Sequence, residues 1–232
     1  MAEAIGTNLL IDDNNNVFLQ SEPIDGADYS FKPDLRGGMI EYDIDMSWND
    51  CGCVSSLYLV ANDNEWCSQD AQIDDDVHCP SIDVMQANNY GFNVGANSCS
   101  NGICDAISQC MYDMRVEGAA EYGEGAYGPA GSLINTYSLF HVKTEFLATE
   151  DYETFWGMRT RITQGENEIV MEKACEEYLG GNLSEFLNGG MSLVLSSWDN
   201  RDGQVADFEN GQCTEPMPDC DAAYSTFYNF QV

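Results

Sequence analysis

Residues 79–99 read CPSIDVMQANNYGFNVGANSC. In a strand, residues two apart share a face, so Ser81 and Asp83 point the same way. Gln86 lies at odd spacing from Ser81, and an ideal strand would aim it at the opposite face. Bringing it round requires a local bulge or kink, a device common beside active sites. The three side chains would then set a hydroxyl, a carboxylate and an amide in one line. An amide donates and accepts hydrogen bonds but has no proton to give at neutral pH.

Working outward, the chain is a series of short alternating runs. Gly37-Gly38 opens the clearest of them: Ile40, Tyr42, Ile44 and Met46 alternate with Glu41, Asp43 and Asp45, a period of two with one apolar face. Further strands are predicted over Leu139–Thr149, Thr154–Thr163 and Glu168–Glu172, the last beyond a turn at Gln164-Gly165-Glu166-Asn167. In the first, Val142, Thr144 and Phe146 alternate against His141, Lys143 and Glu145. Near the start, Leu9-Leu10-Ile11 and Val17-Phe18-Leu19 flank Asp12-Asp13-Asn14-Asn15-Asn16, which predicts a β-hairpin. Cys175 through Leu187 reads as a short helix or a loop. With no long helical pattern, the expected architecture is a single all-β domain over residues 1–232, an antiparallel sandwich.

The formal net charge is −32, which excludes nucleic acid and anionic membranes as partners because those surfaces repel it. No apolar run is long enough to insert into a membrane. The acids are scattered, as on a solvated surface; binding of cations or of a basic partner is the sharper alternative. Ten cysteines without zinc-type CxxC pairing indicate a disulfide-rich protein of an oxidising compartment, with secretion the first expectation. No leader is visible in MAEAIGTNLLIDD, and Asn182-Leu183-Ser184 is one glycosylation sequon. The acidic run Asp74-Asp75-Asp76 cannot turn every carboxylate to one ion. His78 and His141 lack zinc spacing, and Asp199 to Glu209 has Gly203 out of register for a calcium loop. Neither a metal nor another cofactor is expected.

The 79–99 stretch resembles the catalytic strand of glycoside hydrolase family 7, the cellobiohydrolases and endoglucanases that cut cellulose. The family signature is E-x-D-x-x-E followed by A-N, two residues after a cysteine, with a histidine and a second cysteine further on. In that frame stand Cys79, Ser81, Asp83, Gln86, Ala87, Asn88 and Cys99, with Asn97 where the histidine is expected. Three more segments resemble the family in the right order. YDIDMSWNDCGCVSSLYLVA (42–61) matches a strand, a Cys-Gly turn and a strand whose tyrosine, here Tyr58, faces the sugar cleft. CMYDMRVEGAAEYGEGAYGPAG (110–131) resembles the Cys-aromatic-Arg…Gly-Pro-Gly connection, with Arg115 aligned across a one-residue gap. NGGMSLVLSSWD (188–199) places Trp198 where the family stacks an indole under a glucosyl unit. The closing strand is matched by residues 224–231, whereas 1–38 match poorly.

The resemblance implies a concanavalin A-like jelly roll, with Tyr58, Asp83, Gln86, Asn97, Arg115 and Trp198 as carbohydrate-binding candidates. It also implies the disulfides Cys51–Cys213, Cys67–Cys79, Cys99–Cys104 and Cys110–Cys175, leaving Cys53 with Cys220. Retaining glycosidases need two carboxyls about 5–5.5 Å apart, a nucleophile and an acid/base. Ser81 and Gln86 stand at those positions, so the degenerate set Ser81, Asp83 and Gln86 supplies neither. The tunnel loops look shortened, so a shallow cleft is expected. Two readings follow. One is a catalytically inactive, cellulase-like protein that binds β-glucan or another polysaccharide, or joins protein subunits of a larger assembly. The other is a retaining β-1,4-glucanase with a substituted constellation built on Asp83. A calcium-dependent acidic protein is a third.

Overall fold

The computed structural model describes residues 9–12, 16–18, 33–61, 80–97, 99–100, 103–104, 110–174, 182–199, 220 and 223–232. The strands, in chain order, are β1 (Leu9–Asp12), β2 (Asn16–Phe18), β3 (Met39–Asp45), β4 (Cys53–Val60), β5 (Ser81–Ala87) and β6 (Phe92–Asn97). Then come the short β7 (Cys99–Ser100) and β8 (Ile103–Cys104), β9 (Cys110–Asp113), and the short β10 (Tyr127–Gly128) and β11 (Ile134–Asn135). The last five are β12 (Phe140–Ala148), β13 (Phe155–Gln164), β14 (Asn167–Ala174), β15 (Ser192–Asp199) and β16 (Tyr224–Gln231). Helical structure among the described residues is slight: a π-turn at Met114–Gly118 running into α1 (Ala119–Tyr122), and α2 (Asn182–Gly189).

Two six-stranded antiparallel sheets face each other. One has the order β1-β16-β3-β12-β13-β14 and the other β2-β15-β4-β5-β6-β9. Alternation decides which side chains fill the space between them. In β3, Ile40, Tyr42 and Ile44 are fully buried, and in β12 Val142, Thr144 and Phe146 are buried, as the period of two requires. From the second sheet come Leu57, Leu59, Ile82, Val84, Met85, Leu193 and Leu195. Tyr42 joins the layers: its ring stacks on Phe230 at 5.7 Å and its hydroxyl lies 3.3 Å from the Met85 sulfur. Truncating one such fully buried residue, Leu57 for example, to alanine costs about 2–5 kcal/mol.

The fold is therefore the expected jelly-roll sandwich, with one correction near the start. Leu9–Asp12 and Asn16–Phe18 do not pair with each other as a hairpin. β1 pairs with β16, and β2 with β15. The two strands go to different sheets, and each covers an edge strand whose backbone groups would otherwise stay open. Neighbours in sequence pair only where nothing else offers a better edge, and here both sheets do.

Cys53 and Cys220 are joined by a disulfide, and Cys51 is disulfide-bonded as well. The register places Cys99 opposite Cys104. Cys67, Cys79, Cys175 and Cys213, like the acidic run 74–76 and His78, lie outside the described residues.

Candidate functional site

Ser81, Asp83 and Gln86 share the outer face of the second sheet, and the bulge that allows this is at Val84. On β4, Leu57 is opposite Met85 and the next residue, Tyr58, is opposite Asp83, so Val84 has no partner of its own. Toward β6 the register breaks in the same interval. Val84 and Met85 both turn into the core, each with 0% exposure. After that double inward step Gln86 emerges beside Asp83.

Register extends the face into rows. One row crosses all six strands: Asn16, Ser196, Ser56, Gln86, Asn93 and Asp113. The next holds Phe18, Val194, Tyr58, Asp83, Gly95 and Met111. A third contains Ser192, Val60, Ser81 and Asn97. Trp198 stands opposite Val54, on the far side of the first row. Tyr58, Asp83, Gln86, Asn97 and Trp198 thus occupy register positions on one sheet face. Nothing in their spacing along the chain shows this without the pairing of β15, β4, β5 and β6.

Four register steps separate Ser81 from Gln86, from Val60 to Ser56 on the partner strand, or about 13 Å of backbone. Long carboxylate side chains could close that span to a few ångströms. A serine lacks the reach, and a glutamine has the reach of a glutamate without its acid.

The face is tight. Asp83 is 8% exposed, Asn93 3% and Ser56 1%, while Ser81, Tyr58 and Gln86 are half-buried. Val60 and Val194 are buried on it, and Tyr58 packs against them.

Arg115 sits at the β9 edge. Its guanidinium is 2.9 Å from Asp113, and its backbone N–H donates to Asp113 Oδ1 at 2.8 Å. The pair caps the π-turn. With its amide turned to satisfy both neighbours, Asn93 donates to the Phe92 carbonyl and to Asp113 Oδ1. Burial raises the Asp113 pKa, an effect that the Arg115 charge and the N–H contact partly offset. Arg115 also lines a cavity of about 550 Å³ with Tyr90, Met114, Glu124 and Tyr127. Asp113 and Asn93 were not among the sequence candidates. The available signal was the spacing of two between Asp113 and Arg115, which lets an aspartate side chain accept from the backbone N–H two residues on.

On the opposite sheet, His141 Nδ1 is 2.8 Å from Asp43 Oδ1, and Asn229 donates to the other Asp43 oxygen at 2.7 Å. Among the described residues no three His, Cys, Asp or Glu side chains converge as a metal site.

No family model and no curated protein matches the chain. Solved structures do. A cellobiohydrolase from Melanocarpus albomyces complexed with cellotetraose superposes with a TM-score of 0.71 at 17% identity, covering 100% of this chain and 79% of that one. Glycosynthase mutants of Humicola insolens Cel7B give a TM-score of 0.69 at 19% identity, covering 87% and 68%. A GH7 family cellobiohydrolase from Daphnia pulex gives 0.63 at 17% identity, covering 87% and 71%. The chain has the fold of the glycoside hydrolase family 7 cellulases.

Proposed function

We propose that the protein is a non-hydrolytic, cellulase-like glycan-binding protein that holds a β-glucan or related polysaccharide on the outer face of the β2–β9 sheet. The observation that carries this reading is the Val84 bulge. It sets Ser81, Asp83 and Gln86 on one face, where the aligned strand of the family carries its catalytic carboxyls. The frame is kept, while the two positions needed for double displacement hold neutral side chains. Hydroxyls, amides and carboxylates in rows around Tyr58, with a tryptophan at the register position of residue 198, suit a polyhydroxylated ligand: polar groups fix orientation and aromatic residues supply contact area. Structures with this fold have been solved with cellobiose and cellotetraose. Asn97 and Arg115 belong to the same proposed surface, and the disulfides fit a secreted protein.

Affinity electrophoresis through gels containing mixed-linkage β-glucan tests the reading. The wild type should be retarded, and Tyr58→Ala and Trp198→Ala should each abolish most of the retardation. Mobility unchanged by any polysaccharide would refute it.

The low exposure of Asp83, Asn93 and Ser56 favours a second reading, in which the face is structural and the protein is a subunit of an extracellular assembly. In that case Tyr58→Ala lowers stability without affecting any glycan.

A further inference from the structure

Away from that face, three loops meet at the end of the sandwich where the chain crosses from β3 to β4. They are the β3–β4 loop (46–52), the β5–β6 turn (88–91) and the β11–β12 loop (136–139). The Asn49 carbonyl accepts from the Asn89 N–H at 2.9 Å, and the Asn89 carbonyl accepts from Thr136 Oγ1 at 3.1 Å. Asn49 itself is fully buried and anchors the first loop to β4, β5 and β16 through Ser55, Ala87 and Ser225. The rim is thus cross-tied and held in one arrangement.

What it displays is an aromatic surface. Trp48 is 62% exposed, yet it is not loose: its ring stacks on Tyr224 with centroids 5.9 Å apart and planes 17° apart. One face of the indole is supported and the other is presented to solvent. Two residues on, Asp50 and Tyr137, the latter 51% exposed, stand close enough to the Tyr90 phenol to raise its pKa. A flat, supported apolar ring stands beside a fringe of phenols and one carboxylate.

We propose that this rim is a second ligand site, and that its ligand is a neutral saccharide whose C–H face stacks on Trp48. A sugar ring offers an apolar face and a ring of hydroxyls, which the indole and the phenol fringe match in kind. The net charge of −32 opposes any anionic ligand. The Asp50 carboxylate already accepts from the Cys51 N–H at 2.8 Å, and as a single carboxylate it serves as a hydroxyl acceptor more readily than as a cation trap. A supported ring binds without the cost of ordering a mobile side chain. The site does not depend on the glycan reading of the β2–β9 sheet.

The test is affinity electrophoresis with mixed-linkage β-glucan, hydroxyethyl cellulose, xylan and galactomannan as probes. At least one should retard the wild type. In the Tyr58→Ala background, where the contribution of the β2–β9 sheet is removed, Trp48→Ala should weaken the remaining retardation about tenfold in apparent Kd, Trp48→Phe should stay within about threefold, and Tyr137→Ala should lose about threefold. Tyr58→Ala, which alters the other face, should leave the Trp48-dependent part in place. Thermal melting of Trp48→Ala should match the wild type, since the side chain is exposed. Should that variant fail to fold, Tyr137→Ala carries the test. The proposal is overturned if none of the four polysaccharides retards the wild type, or if retardation is the same in Trp48→Ala. Displacement of a bound glucan by choline or polylysine through Trp48 would also overturn it, because the site would then be cationic in preference.

Discussion

Asn49 offers a demanding test of how the sandwich end is built. Its amide nitrogen donates to Ser55 Oγ at 3.0 Å, to the Ala87 carbonyl at 3.1 Å and to Ser225 Oγ at 3.3 Å, joining β4, β5 and β16 in a site with no solvent access. Two hydrogens serve three acceptors, so Asn49→Ala removes about two hydrogen bonds' worth of stabilisation, roughly 1 kcal/mol each. The Ala87 carbonyl, fully buried, loses a donor, which adds about 1 kcal/mol or more. Ser55 and Ser225 suffer less, because they keep each other at 2.8 Å. Asn49→Ala also removes the side-chain Oδ1, which is buried with no hydrogen-bond partner and returns about 1 kcal/mol, so the total of about 2 kcal/mol corresponds to a fall in Tm of about 4–8 °C for a domain of this size. Near-UV circular dichroism under non-reducing conditions reads it out. Ser225→Ala should cost about a third as much. Asn49→Asp separates the donor from the volume: at neutral pH a buried carboxylate facing the Ala87 carbonyl, which has no proton to give it, should be at least as damaging as alanine, with partial recovery as acid restores a proton to donate. An Asn49→Ala variant melting within about 2 °C of the wild type would refute the hydrogen-bond account of this end.

Thr144 and Thr160 are fully buried and share a 2.9 Å hydroxyl pair across β12 and β13. Thr144→Val alone should cost about 1–3 kcal/mol, while the double change to valine should be close to neutral in urea unfolding. Replacing Cys53 and Cys220 by alanine should lower stability by about 2–4 kcal/mol if the cross-link acts as ordinary disulfides do; an unchanged urea midpoint would count against that. Burial first, then the Asp50 charge and its hydrogen bonds, push the Tyr90 phenol up to about 12. Its folded pKa lies above the unfolded value of about 10, so its contribution to stability is complete below pH 10 and is lost as the pH rises through 12. Ultraviolet titration of Asp50→Asn should show one tyrosine ionising earlier than in the wild type.

The parts of the fold that read clearly in the sequence are those where a single strand states its own pattern. Ile40, Tyr42 and Ile44 in β3 and Val142, Thr144 and Phe146 in β12 were legible because one face meets the core and the other does not. The odd spacing of Gln86 made a bulge necessary, but it did not say that Val84 would be the extra residue; the register against Leu57 and Tyr58 decides that. The opening strands were misread because a short polar turn between two apolar runs looks the same whether the chain doubles back or changes sheet. Long-range adjacency was illegible altogether. Trp48 and Tyr224 stack although 176 positions apart in the sequence, and Tyr58 comes opposite Asp83 only through the pairing of β4 with β5.

Chemistry at Ser81, Asp83 and Gln86 is read out by the release of reducing ends from soluble mixed-linkage β-glucan. The wild type should release none above the buffer background over a long incubation. Steady release that disappears in Asp83→Asn would contradict the non-hydrolytic reading, because a working acid and nucleophile would then be present on that face.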